Sequence, residues 1–288
     1  MHRKGMVICM KRKIGFSLCS KPYDAAAMES YAKAGIEAFE FSFATEVYAT
    51  YDFAEGARQA RAFGIDPWSA HLPFLPFKEN NIASLDATVR KNTIVLQAEL
   101  LKRIGEAEIP LAIIHPSGEP NPPEVRAEMT KYAKDSLATL AEIAAKEGIT
   151  IAVEDLPRTC LGCCAAEIVD LISVDSRLRV CFDTNHLLEE DNLYFLRTLK
   201  DKIVTLHVSD CDFINERHWL PGEGKVDWVA LMDGLDEIGY NGVFLYELGF
   251  PAPKTILRSR DLTAEDFVRN ARELEARAPL TVIGEPNV

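Results

Sequence analysis

Short apolar runs rich in β-branched and aromatic residues recur along the chain at 14–18, 38–43, 65–71, 111–115, 149–154, 178–183, 203–208 and 242–247. Runs of this length and type predict eight strands. Between them, stretches with helical spacing of apolar positions cover 23–34, 52–63, 85–104, 123–146, 165–172, 192–199 and 228–238. A last stretch at 264–276 opens with a capping box of Thr263 and Asp266. Strands alternating with helices predict right-handed βαβ units and a parallel sheet buried on both faces. Eight such units in this length predict a closed (β/α)8 barrel, with an open doubly wound sheet as the alternative. No boundary linker or low-complexity segment interrupts the pattern. The Pro-rich patch 116–123 is short enough for one βα loop, so residues 1–288 are expected to form a single barrel domain, with 1–12 as an N-terminal extension.

Composition narrows the partners. Hydrophobic residues are 48% and charged residues 26% of the chain, as in a folded globular protein. Lys and Arg number 32 against 44 Asp and Glu, a net charge of −12, so cations would have to be concentrated locally to hold a polyanion. Nucleic acid and anionic membrane are therefore disfavoured partners. No apolar run approaches the roughly 18 residues of a membrane span, and the stretch 6–10 is too short for a signal segment. A cytoplasmic location is expected. Seven cysteines, an odd number, fit reduced thiols better than a disulfide framework. The exposed helix faces leave a homo-oligomer open.

A barrel places its chemistry at the C-terminal ends of its strands. Of the six histidines, His71, His115 and His207 end predicted strands 3, 4 and 7. His186 follows strand 6, His218 lies in the loop after strand 7, and only His2 falls elsewhere. Glu154, Asp183 and Glu247 close strands 5, 6 and 8, each directly after an apolar run. Any one of these polar residues alone would read as an ordinary strand terminus. Together at one rim they build a convergent N/O donor set suited to a divalent cation such as Zn²⁺, Mn²⁺ or Co²⁺, which also relieves the cost of burying carboxylates.

The segments Ser69-Ala70-His71-Leu72-Pro73, Ile114-His115-Pro116-Ser117-Gly118, Val153-Glu154-Asp155, Phe182-Asp183-Thr184-Asn185-His186, His207-Val208-Ser209-Asp210, Arg217-His218, Pro221-Gly222-Glu223-Gly224 and Tyr246-Glu247 stand in this order over nearly the whole chain. In this the sequence resembles the xylose isomerase-like barrel superfamily, which includes sugar isomerases, ketose 3-epimerases, inosose dehydratases, hydroxypyruvate isomerases and endonuclease IV-type repair enzymes. The resemblance implies one divalent ion (Mn, Co, Mg or Zn) held by Glu154, Asp183, His207 and Glu247, with Glu154 and Glu247 moving the proton of a small sugar or polyol-derived ketone through an enediolate. It implies His71, His115, His186, Arg217 and His218 as substrate contacts, and Trp219 joins them because it directly follows His218. The alternatives are a sugar-type dehydratase and a multi-zinc phosphodiester hydrolase. The hydrolase reading would recruit His71, His115, His186 and His218 as further ligands, but it meets Glu216 where that class has Asp. The apolar loop 72–77, with Phe74 and Phe77, suits a water-excluding cap over a small sugar. Gly222 and Gly224 lack the strand-turn-helix context of a phosphate loop, which favours a non-phosphorylated substrate. Cys160, Cys163 and Cys164 have C-x-x-C spacing but no second pair, so loop thiols are expected rather than a zinc or redox site.

Overall fold

The computed structural model describes residues 12–288. Eight parallel strands, β1 (Ile14–Ser17), β2 (Ala38–Phe41), β3 (Asp66–His71), β4 (Leu111–Ile114), β5 (Thr150–Glu154), β6 (Arg179–Asp183), β7 (Ile203–His207) and β8 (Phe244–Tyr246), run in the order β7-β6-β5-β4-β3-β2-β1-β8. The seam between β7 and β8 closes through a bridge between Val208 and Tyr246, with Val208 N donating to Leu245 O at 2.8 Å. The helices are α1 (Ala25–Ala34), α2 (Phe53–Ala62), α3 (Ala87–Glu106), α4 (Pro123–Lys146), α5 (Ala165–Ile172), α6 (Asn192–Leu199), α7 (Trp228–Glu237) and α8 (Ala264–Glu275). The chain is a (β/α)8 barrel, as its hydrophobic pattern predicts.

The helices start where local chemistry allows. Asp24, Asp52, Asp86, Asp191 and Asp227 each accept a backbone N–H in the first turn, satisfying a donor with no partner inside the helix. The capping box of Thr263 and Asp266 is present at α8. Along each strand one set of side chains faces the helices and the other fills the barrel. Phe16, Phe39, Phe41 and Phe182 belong to the main core, where Phe16 packs on Phe267 of α8. Inside the barrel, Ala38, Val243 and Leu245 with Trp68, and Ile113, Ala152 and Cys181 with Val204, form small apolar clusters.

Of the expected extension 1–12, residues 1–11 lie outside the described residues. Arg12 is buried, donating from Nη2 to Asp236 Oδ1 at 2.5 Å and from Nε to Tyr240 O at 3.0 Å. A feature that the sequence reading did not anticipate is an antiparallel pair, β9 (Ile256–Arg258) and β10 (Gly284–Pro286). A wholly buried ion pair fastens it: Arg258 Nη2 lies 2.6 Å from Glu223 Oε2, and Gly284 N donates to Glu223 Oε1 at 2.8 Å.

Candidate active site

The alternation that fills the barrel also builds its rim. Two residues beyond the inward Ala152, Cys181, Leu245 and Ile113 come Glu154, Asp183, Glu247 and His115, so the apolar floor turns polar within one step of the pleat. Glu154 stands at the centre. Its Oε2 lies 3.1 Å from His71 Nε2 and 3.3 Å from His115 Nε2, and its Oε1 lies 3.0 Å from His207 Nδ1. The same Nδ1 is 3.1 Å from Glu247 Oε2 and 4.0 Å from Asp183 Oδ2. Glu154, Asp183, His207 and Glu247 thus each offer one donor atom within 4.8 Å of the others. Asp183 Oδ2 is buried without a hydrogen-bond partner. A buried carboxylate oxygen left so is costly, and a divalent cation among these four groups would satisfy it.

The buried carboxylates and His207 strongly perturb one another. Burial pushes Glu154 up, but His207 and His115 outweigh it and hold its carboxyl well below the usual carboxylate range. Glu247 is drawn down to about 2, His207 overcoming burial and the repulsion of Glu154. Asp183 is driven well above its ordinary value by burial, with Glu247 and Glu154 adding repulsion that His186 only partly offsets. For His207 burial works downward, yet Cys181, Glu247, Glu40 and Glu154 together raise it well above its ordinary value.

Two further donor groups adjoin this one. His71, His115 and Glu154 form the first; His186, Glu216 and His218 form the second, with His186 Nε2 3.3 Å from Glu216 Oε2. Glu216, at the position where the hydrolase class has Asp, groups with both histidines. Glu216 is drawn to about 2, burial being outweighed by His186 and Arg158. Nδ1 of His71, His186 and His218 lies 2.8, 2.8 and 3.1 Å from the backbone carbonyls of Leu72, Asp155 and Glu247. A carbonyl can only accept, so each Nδ1 donates and each Nε2 is left facing the site, the arrangement that suits a histidine ligand.

Above these groups lies a cavity of about 310 Å³ lined by Phe74, Phe77, His115, Glu154, His186, His218 and Glu247, with Glu119, Arg158 and Glu216 on its wall. Phe74 stacks on His115 with ring centroids 4.0 Å apart. Phe77 is seated on Gly118, where a Cβ would come within 2.7 Å of its ring. The apolar loop therefore caps the cavity. Its guanidinium is committed: Arg158 Nη2 lies 2.5 Å from Glu119 Oε1 and 2.8 Å from Glu216 Oε1.

The structure brings His115, Glu154, His186, His218 and Glu247 to the cavity, with His71, Asp183 and His207 buried beside or beneath it. It does not bring Arg217 or Trp219 there. Arg217 is locked to Asp212, with Nη2 2.8 Å from Oδ2. Trp219 is 1% exposed and its indole donates to Thr255 Oγ1 at 3.0 Å, because Trp219 pairs with Asp210 as an antiparallel bridge that turns the ring away from the cavity. Residues the sequence reading did not place in the site are Glu119 and Arg158, which come from loops, and Glu40. The signal for Glu40 was its charge in the middle of the apolar strand β2. Cys163 and Cys164 approach Glu167, but that carboxylate is held by Arg126 Nη2 at 2.7 Å. Cys160 and Cys163 are both pushed up to about 12 by burial, which keeps them as thiols.

Residues 28–266 match the family model of the xylose isomerase-like TIM barrel, and the chain belongs to that family. It is 28% identical over 181 residues to an uncharacterized protein of Methanocaldococcus jannaschii, a match covering 60% of this chain and 62% of that protein, so the alignment spans less than two thirds of that relative. It is 27% identical over 232 residues to the D-psicose 3-epimerase of Ruminiclostridium cellulolyticum, covering 76% of each. A solved structure of a D-psicose 3-epimerase in the presence of D-fructose superposes with a TM-score of 0.75 at 21% identity, covering 92% of this chain and 99% of the other, a likeness of fold. No helix among the described residues is long and apolar enough to cross a membrane.

Proposed function

We propose that this protein is a divalent-metal-dependent isomerase or epimerase acting on a small, neutral sugar or polyol-derived ketone. The observation that carries the reading is the donor group of Glu154, Asp183, His207 and Glu247 at the floor of a capped cavity of single-sugar size. Its kinship with a D-psicose 3-epimerase supports a sugar substrate. Arg158 and Arg217 are both spent on carboxylates, which leaves neither guanidinium for a substrate phosphate and favours a neutral ligand.

The four residues would hold one ion, Mn²⁺, Co²⁺, Mg²⁺ or Zn²⁺. When bound, the cation supplies Lewis acidity that polarises a carbonyl and an adjacent hydroxyl. Glu154 and Glu247, at the ends of β5 and β8, approach the cavity from different sides. The ionised one would abstract the proton beside the carbonyl, giving an enediolate, and the other, having first taken a proton from solvent, would return it to the opposite face. His115, His186 and His218 present ring nitrogens to substrate oxygens. Phe74 and Phe77 limit water over the enediolate, and the two carboxyl groups exchange their protons with solvent between turnovers.

The test is to incubate the metal-loaded protein with ketopentoses, ketohexoses and inososes in D₂O and to follow deuterium at the carbon beside the carbonyl by NMR. Uptake together with a C3 epimer or an aldose supports the reading; loss of water from the substrate would mark a dehydratase. A second reading rests on the three adjoining donor groups, which suit a multi-zinc phosphodiester hydrolase. Hydrolysis of bis(p-nitrophenyl) phosphate without any deuterium uptake would replace the first reading with the second.

A further inference from the structure

Glu40 is wholly buried inside the barrel, one turn of the pleat below the rim. Its Oε2 lies 3.0 Å from His207 Nε2 and accepts a hydrogen bond from Ser69 Oγ at 2.9 Å, while Oε1 is buried with no partner. Burying a carboxylate in this way is expensive, and Ser69 offers it only a neutral donor. An amide or an apolar side chain would fill the same space at lower cost. The charge is explained if the group it faces becomes cationic or carries a cation on its far side. His207 is that group: Nε2 points at Glu40, and Nδ1 points at the atoms of Glu154 and Glu247. The contrast with the other histidines is informative. His71, His186 and His218 turn Nδ1 to neutral backbone carbonyls and aim Nε2 at the site, whereas His207 is reversed and anchored by a carboxylate.

We propose that Glu40 is a positioning residue that holds the proton on Nε2 of His207, so that Nδ1 presents its lone pair to the cation, and that its negative charge makes this imidazole a stronger ligand. The inference rests on the cation site proposed above. Glu40 does not line the cavity, and its contact with the proposed donor set is His207. Outer carboxylates on ligand histidines are worth about 10- to 100-fold in metal affinity.

The experiment is a double-mutant cycle read as Co²⁺ affinity, by competition with a chelator and by the visible ligand-field spectrum, on native protein, Glu40→Gln, His207→Gln and the double variant. Glu40→Gln is expected to weaken Co²⁺ binding about 10- to 100-fold and to change the spectrum in the native background. In the His207→Gln background it should change affinity less than about twofold, because its target is gone. An unchanged affinity for Glu40→Gln, or an equal loss in both backgrounds, would overturn the proposal, the second result marking a merely structural residue. Native protein that binds no Co²⁺ would instead sink the cation site itself. Thermal unfolding of the metal-free variants checks that the fold is kept; if Glu40→Gln does not fold, Glu40→Asp, which draws the charge back by one methylene, is read in the same cycle with the same outcomes.

Discussion

Nδ1 of His207 stands 3.0 Å from Oε1 of Glu154, joining the ends of β7 and β5 over the intervening β6. Without a cation this contact needs a proton, and the carboxylates around His207 hold its imidazole well above the ordinary range despite burial. A divalent ion bound at Nδ1 must displace that proton. Metal affinity should therefore rise with pH through neutrality, by about tenfold per pH unit for each proton released. Mn²⁺ titrations at pH 6, 7 and 8, with proton release measured in two buffers, check this; a pH-independent affinity would contradict it. The same raised value gives the metal-free fold stability that is fully present below about pH 6.5 and is lost as pH rises through the folded value.

Glu247 is the more accessible of the two carboxylates, with its side chain 16% exposed against 1% for Glu154. Glu247→Gln should keep the fold and much of the metal binding but cut proton exchange by about 10²- to 10⁴-fold. Deuterium uptake at the native rate would remove Glu247 from the acid/base role.

His115 contacts Glu154 through Nε2 at 3.3 Å and carries the Phe74 ring on its face. If one ion is bound by the other four residues, His115→Ala alters rate or substrate affinity and leaves metal content unchanged. Loss of an ion on this substitution, seen by elemental analysis, would favour the multi-metal reading.

Arg258→Ala removes the guanidinium paired with the wholly buried Glu223, and so should destabilise the fold by about 3–5 kcal/mol. Replacing both partners, as Arg258→Met with Glu223→Leu, should recover much of that loss. Urea unfolding of the three proteins reads the difference, and a single variant as stable as native would show the pair to be dispensable.

The barrel was legible because its strands are uniformly apolar and its helices amphipathic. All eight strands and eight helices form where the pattern predicts them, and His71, Glu154, Asp183 and His207 are the last residues of β3, β5, β6 and β7. What failed was any inference from nearness in sequence. Trp219 adjoins His218, but His218 has φ +51°, and the chain there turns the indole away toward Thr255. Arg217 is taken up by Asp212, five residues earlier, a fold-back that no motif in the sequence marks. Glu119 and Arg158 meet only through the loops after β4 and β5, and such pairings have no period to detect. The pair β9 and β10 is three residues per strand, too short to stand out from its surroundings.

The central claim, a cation held by Glu154, Asp183, His207 and Glu247, is tested most directly by metal content per chain on gently purified protein, measured by elemental analysis for native protein and Glu154→Ala. One divalent ion per native chain, absent from Glu154→Ala, is the predicted result. No bound metal, or close to three zinc ions per chain, would contradict the account.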